Sequence, residues 1–296
     1  MAKSFPPDVI ILDTESLIHA RLGRGRQDAQ ITHAKSYRLA GNTFAQSVVT
    51  PELANDAALA DVLRRLKSET GRWDKASVLL PDAWFRMNLL DLQALPDARD
   101  EADHMVRWSL KRTLPIDPES LRIRFEVLSR TPSQVKVLAV SAVEKALASI
   151  ERVFQSAGIE VVLIEPIGLN LWNAITAREA PTSRDRLLFY IRDTEFTTAA
   201  FRGAQPLFIR SRNLNADRTL EQEIRLSASY LRDTLRTEAI ENCYVAGNRV
   251  DPSVITTIDD EFHAPVKTVS LRDFTESAPS GVPYETELAA ATGVFT

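Results

Sequence analysis

Short apolar runs alternate along the chain with stretches whose apolar residues recur every three or four positions, the pattern of an α/β protein with mixed sheets. The first run is Val9-Ile10-Ile11-Leu12. It passes through Asp13-Thr14-Glu15 into Leu17-Ile18-His19-Ala20-Arg21-Leu22 and then Gly23-Arg24-Gly25, which predicts a hairpin followed by a tight glycine turn. Positions 51–68 predict a helix with Leu53, Ala57, Ala60, Leu63 and Leu66 on one face, and Ser77-Val78-Leu79-Leu80 predicts a buried strand.

Between 97 and 113 the pattern is helical, with Ala102, Val106, Leu110 and Leu114 about one helical turn apart. Acids crowd the start of this helix (Asp97, Asp100, Glu101, Asp103) and cations its end (Arg107, Lys111, Arg112), which suits the helix dipole. Strands are expected over 121–128 and 135–140. Ser141-Ala142-Val143-Glu144 has the form of a capping box heading a helix that buries Val143, Leu147, Ile150 and Phe154, with Gly158 as its stop. A strand over 159–164 and a short helix from Pro166, containing Leu169, Trp172 and Ile175, come next. Positions 179–186 have linker composition. Beyond them, runs at 187–191, 197–201 and 206–210 predict a three-strand meander. A helix over 217–236 should bury Leu220, Ile224, Ala228, Leu231 and Leu235, before strands at 240–245 and 266–269 and a helix around 287–291.

The two halves of the chain match at an offset of 180: Asp13-Thr14-Glu15 falls on Asp193-Thr194-Glu195, and Gly23 on Gly203, each within a strand-turn-strand context. Duplication of one unit explains this, and two similar α/β halves would bring the Asp-bearing turns face to face across a cleft, the plan of actin and the sugar kinases.

Composition narrows the chemistry. Ten glycines in 296 residues is about half the usual share of roughly 7%. Neither G-x-x-x-x-G-K-[ST] nor G-x-G-x-x-G occurs. A net charge of −4 without a Lys/Arg block disfavours nucleic-acid binding. The single cysteine, Cys243, excludes a disulfide framework, suits a reducing compartment and is expected in a buried strand. No run approaches the ~20 apolar residues of a membrane span and positions 1–7 do not form a signal peptide, so a cytoplasmic protein reaching a membrane through a partner is expected. His19, His33, His104 and His263 are scattered, and His104 among its acids is better explained as a solvated face than a metal ligand. With no G-x-S-x-G and no H-E-x-x-H, no catalytic, metal or cofactor residue is assigned.

The segments Glu101-Ala102 through Leu114-Pro115-Ile116-Asp117, Arg124-Phe125-Glu126-Val127-Leu128, Val137-Leu138-Ala139-Val140, Ser156-Ala157-Gly158-Ile159 and Glu165-Pro166-Ile167-Gly168-Leu169 follow one another in an order that resembles the type IV pilus assembly PilM family, actin-like relatives of the cell-division protein FtsA. The similarity is best over about 78–174. It implies an actin-like, ribonuclease H-like duplicated fold with an inserted subdomain of the FtsA type. By that layout 1–98 and 165–185 form the first actin-like subdomain, 99–164 the inserted one and 186–296 the second, with its small outer subdomain reduced or absent.

The resemblance also exposes departures. Where the family has D-x-G-x-x-x-x-K and a facing D-x-G, this chain has Asp13 and Asp193 but Glu15 and Glu195 in the glycine places and Ala20 in the lysine place. The adenosine loop, usually Gly-Gly, is Ala246-Gly247. A carboxylate ~4 Å from a phosphate costs about 4 kcal/mol at an effective dielectric near 20. Two would offset much of a micromolar affinity of about 8 kcal/mol. A pseudo-ATPase without cofactor is therefore expected, serving as a scaffold that docks the N-terminal tail of a PilN-like single-span inner-membrane protein. By the family layout Trp84, Arg86, Arg107, Trp108 and Lys111 flank that dock, and homo-oligomerisation stays open. The alternatives are a nucleotide-dependent actin-like ATPase or kinase, with Asp13 or Asp193 on Mg²⁺, and a type II secretion cytoplasmic component.

Overall fold

Strands β1 (Asp8–Leu12), β2 (Ser16–Arg24) and β3 (Ala29–Arg38) pair antiparallel in succession. A two-residue ribbon of β4 (Phe44–Ala45) and β5 (Glu52–Leu53) leads to helix α1 (Asp56–Thr70), and β6 (Lys75–Leu80) returns parallel to β1. An antiparallel unit then interrupts the body, with β7 (Phe85–Leu92), helix α2 (Arg99–Lys111), β8 (Leu121–Arg130) and β9 (Val135–Val143) in the sheet order β7-β9-β8. Helix α3 (Glu144–Ser156), β10 (Glu160–Pro166), parallel to β6, and helix α4 (Ile167–Arg178) complete the first half. The second half repeats the plan: β11 (Asp185–Ile191), β12 (Glu195–Arg202) and β13 (Gln205–Asn213) antiparallel, α5 (Leu220–Leu235), β14 (Ile240–Gly247), α6 (Pro252–Phe262), β15 (Val266–Thr268) and α7 (Glu285–Thr292). These elements come from a computed structural model that describes residues 5–24, 29–45, 51–180, 182–214, 219–235, 240–275 and 284–295.

The two five-stranded sheets have the same order, β10-β6-β1-β2-β3 and β15-β14-β11-β12-β13. Between them lie α4 and α7, packed on Val9, Ile11 and Ile18 from one side and Leu188, Tyr190 and Phe201 from the other. The outer face of the first sheet, Ile10, Leu12 and Val78, is covered by Leu59, Leu63 and Leu66 of α1 and Ile150 and Phe154 of α3. Leu187, Phe189 and Ile191 face Ile224 and Leu231 of α5 and Ile258 of α6. Each central strand is thus buried on both faces, which explains runs without polar alternation such as Val9–Leu12 and Leu187–Ile191. The inserted unit has its own core of Leu90, Leu92, Val106, Leu110, Ile123 and Val137.

Several expectations are corrected. The inserted unit spans 85–143 rather than 99–164: β7 pairs with β9 from Phe85↔Ala142 to Leu92↔Val135, whereas α3 and β10 join the first body. Ser141 does not cap α3, because β9 continues to Val143 and Ser141 Oγ turns instead to the Arg86 carbonyl at 3.4 Å. Helix α1 begins at Asp56, capped by Asn55, with Leu53 in β5. Gly23 lies inside β2 rather than in a turn, and Gly25 lies outside the described residues. Positions 217–218, Pro181 and the side chain of Leu235 are likewise outside them. Gly158 stops α3 as expected, at φ +71° with its N–H on the Gln155 carbonyl. Cys243 is fully buried in β14, and burial pushes its thiol up to about 12.

Candidate functional site

Strand register decides which residues of the two hairpins are equivalent. Leu12 pairs with Leu17 across the first, and Ile191 with Phe196 across the second. Ile191 therefore stands where Leu12 does, an offset of 179 and not 180. The hydrogen bonds agree: Asp13 N–H reaches the Ser16 carbonyl at 2.8 Å, and Arg192 N–H the Glu195 carbonyl at 2.9 Å. Duplication of the hairpin stands, but the Asp-Thr-Glu triplets are out of step by one residue. Since side chains alternate, one step reverses their direction. Glu15 is exposed, and Glu195 is buried where Ser16 lies in the first hairpin. The counterpart of Asp13 is Arg192.

That pairing bridges the two halves. The Arg192 guanidinium donates to Asp13 across the two halves and lies 3.7 Å from Glu195 Oε1. Glu195 reaches further and accepts the Ala83 N–H of the first half at 2.9 Å. Asp82, buried beside it on a 3-10 turn after β6, accepts the Gly168 N–H at the start of α4 at 2.8 Å. Pro166 supplies no side-chain cap there, so the Asp82 carboxylate takes the anion position at the α4 N-terminus. Gly168 makes this approach feasible, because a Cβ on it would sit 2.2 Å from Asp82 Oδ2. Glu287 of α7 and the Tyr190 hydroxyl complete the cluster around Arg192.

The electrostatics follow from burial. Glu195 is raised above the usual carboxylate range by desolvation and then by the charge of Asp82. Asp82 is raised by desolvation against the opposing pull of the Gly168 N–H, of the Thr197 hydroxyl and of Arg192. Burial also raises Glu287, with Arg192 opposing it. A phosphate group placed here would meet this anionic cluster with its principal cation already engaged.

The remaining nucleotide-loop positions are tied elsewhere. Asp193 is exposed and accepts from Asn248 Nδ2 at 3.0 Å, joining the second hairpin to the loop after β14. Gly247 has φ +124°, and a Cβ would lie 1.8 Å from the Ile191 carbonyl oxygen, so its glycine serves strand contact. Among the described residues no group of three or more His, Cys, Asp or Glu side chains is arranged to hold a metal ion.

The five residues expected at a partner dock are placed differently from one another. Trp84 is buried, edge-on to Phe44 at 5.6 Å. Arg86 is part-buried and donates to the Ala83 and Phe85 carbonyls. Arg107 holds the inserted unit together, pairing with Asp103 at 2.6 Å and donating to the carbonyls of Pro118 (2.7 Å) and Leu121 (3.0 Å). Trp108 is 64% exposed with the Arg112 guanidinium 5.8 Å over its ring, and Lys111 is exposed at the end of the same helix. None of the five lines the open groove of about 610 Å³ between α2 and the edge strand β8, whose walls include Leu95, His104, Phe125, Val127 and Arg130. Sequence reasoning missed Arg192, Asp82 and Glu287. The available signal was an arginine ending the otherwise unbroken run Leu187–Ile191.

Two halves of like topology, meeting at their first hairpins and separated by α4 and α7, define the actin-like class. Comparison with solved structures agrees: the fold matches a chain of a PilM-PilN type IV pilus biogenesis complex with a TM-score of 0.80 and 18% identity, covering 97% of this chain and 96% of that one. It also matches a Bacteroides thetaiotaomicron protein with an actin-like ATPase fold and unknown function (TM-score 0.54, 9% identity, 96% and 94% covered). The cytoplasmic domain of EpsL, an inner-membrane component of the Vibrio cholerae type II secretion system, matches at TM-score 0.52 and 12% identity, with 98% and 94% covered. No family model and no curated protein matches the sequence. No helix among the described residues is long and apolar enough to cross a membrane.

Proposed function

We propose that the protein is a non-catalytic scaffold in the inner-membrane platform of a type IV pilus or a related secretion machine. It docks the cytoplasmic N-terminal segment of a PilN-like single-span membrane protein beside the inserted unit and is held at the cytoplasmic face through that partner. The observation that carries the non-catalytic part is Glu195, a carboxylate of the second hairpin seated on the Ala83 N–H and beside Arg192, at the meeting of the two hairpins where an actin-like ATPase receives phosphate. The retained Asp13, the main support for an ATPase, is itself engaged by Arg192. Full-length resemblance to a chain of a PilM-PilN complex supports the partner class. Trp108 and Lys111 are the exposed members of the expected docking set, and an exposed tryptophan is the residue type that anchors interfaces.

Calorimetric titration with the N-terminal peptide of a co-encoded single-span membrane protein tests this. Saturable binding weakened about tenfold or more by Trp108→Ala is expected, and no heat of binding at high micromolar peptide overturns the docking. A type II secretion role is the outcome if only peptides from that machine bind.

A further inference from the structure

The centre of the cleft gathers side chains from both halves around one cation. Asp13 comes from the β1–β2 turn, Asp82 from the turn after β6, Tyr190, Arg192 and Glu195 from the second hairpin and its strands, and Glu287 from α7. Four carboxyl groups thus share one guanidinium. Asp82 is inaccessible to solvent, and Glu195 and Glu287 are buried to within a few per cent. Uncompensated charge in such a place is relieved by taking up a proton. The geometry leaves room for one: Asp82 commits Oδ1 to the Gly168 N–H and Glu195 commits Oε2 to the Ala83 N–H, while Asp82 Oδ2 and Glu195 Oε1 accept no hydrogen bond at ordinary distance, the Thr197 hydroxyl acting on the Asp82 carboxyl and the Arg192 guanidinium standing 3.7 Å from Glu195 Oε1.

We propose that Asp82 and Glu195 form a proton-holding latch that keeps the two halves closed without a ligand and loosens as the pair ionises. In actin-like enzymes a bound nucleotide bridges the halves; here the bridge is built from the chain, and its tightness is set by a proton. Arg192 holds Glu195 and Asp13 from opposite sides of the cleft, so the latch spans the joint between hairpins. The direction of the pH effect is fixed by linkage. Both carboxyls are raised in the folded state, so the folded chain keeps a proton that the unfolded chain has released, and stability falls as pH rises from the ordinary carboxylate range through the raised values. A salt-bridged carboxylate alone would give the opposite slope.

The test uses the whole chain and its variants Glu195→Gln and Asp82→Asn. Urea unfolding from about pH 5 to about pH 8.5 should show the wild-type unfolding constant rising, by up to about tenfold per pH unit for each linked proton. Each amide variant should flatten that rise. Amide exchange should show Ala83 and Gly168, whose N–H groups sit on the two carboxyls, losing protection over the same pH range before Val137 in the inserted unit. Equal pH slopes in wild type and both variants overturn the latch, as does simultaneous loss of protection at all three amides. If a variant does not fold, carboxyl NMR titration of the wild type decides: Asp82 and Glu195 both titrating in the ordinary carboxylate range defeat the proposal.

Discussion

Gly247 shows how much a single position can demand. Its φ of +124° is strained for any other residue, and the Ile191 carbonyl occupies the place of a side chain. Gly247→Ala is expected to destabilise the protein by about 3 kcal/mol or more, from backbone strain and overpacking together. Gly41→Ala, with nothing within 4 Å of the added carbon, should stay within about 0.5 kcal/mol. Urea denaturation of both variants checks the contrast. At this scale the sequence was legible where local rules act, as at Gly158. It misled at Glu195. The triplet match placed Glu15 and Glu195 in equivalent positions, but strand register separates them by one residue and so by one face of the sheet, a fact that only pairing reveals.

Among the elements, the inserted unit depends on α2 being held against β8. Arg107 provides this by spanning from Asp103 to two carbonyls near the start of β8, whereas Trp108, one residue on, turns outward. Arg107→Ala should therefore cost about 1–3 kcal/mol, because it leaves the Pro118 and Leu121 carbonyls without their guanidinium partner. Trp108→Ala should leave stability within about 0.5 kcal/mol, so that any loss of peptide binding in that variant reflects the surface; thermal unfolding distinguishes the two. The elements that were hard to read have physical reasons. β7, Phe85-Arg86-Met87-Asn88-Leu89-Leu90-Asp91-Leu92, mixes polar and apolar residues because only Phe85, Leu90 and Leu92 are buried. Helix α6 carries β-branched residues at Val254, Ile255, Thr256, Thr257 and Ile258 that argue against helix, and its true signal is Asp251 capping a turn that begins with Pro252. The central strands were readable because double burial leaves no polar alternation to confuse with a helix.

For the whole molecule, the carboxyl-rich joint between the two halves predicts indifference to nucleotide. A ligand at a hundred times its dissociation constant would stabilise the fold by about 2.7 kcal/mol. Thermal unfolding with and without about 5 mM Mg-ATP should show no shift, and a saturable rise in melting temperature would restore the ATPase reading. The double α/β plan was visible in the order of apolar runs and in the repeated turn. The bridge between the halves was not, since it depends on Asp13 meeting Arg192, residues far apart in sequence and joined only by the fold.

Helix α7 has a consequence for how the chain reaches this state. It packs between the sheets, with Leu288 and Ala289 to Ala291 in the central core, and it contacts β1, β2 and β3. A Cβ on Gly293, just past its end, would lie 1.9 Å from the Asn170 carbonyl of α4. Helix α7 thus joins α4, in the middle of the sequence, to strands near its start, and the central core cannot be sealed until segments more than two hundred positions apart have met. Contacts at that separation are costly to close, so α7 should dock after the local hairpins have formed, and the first half, formed alone, would leave open the apolar face that α7 covers.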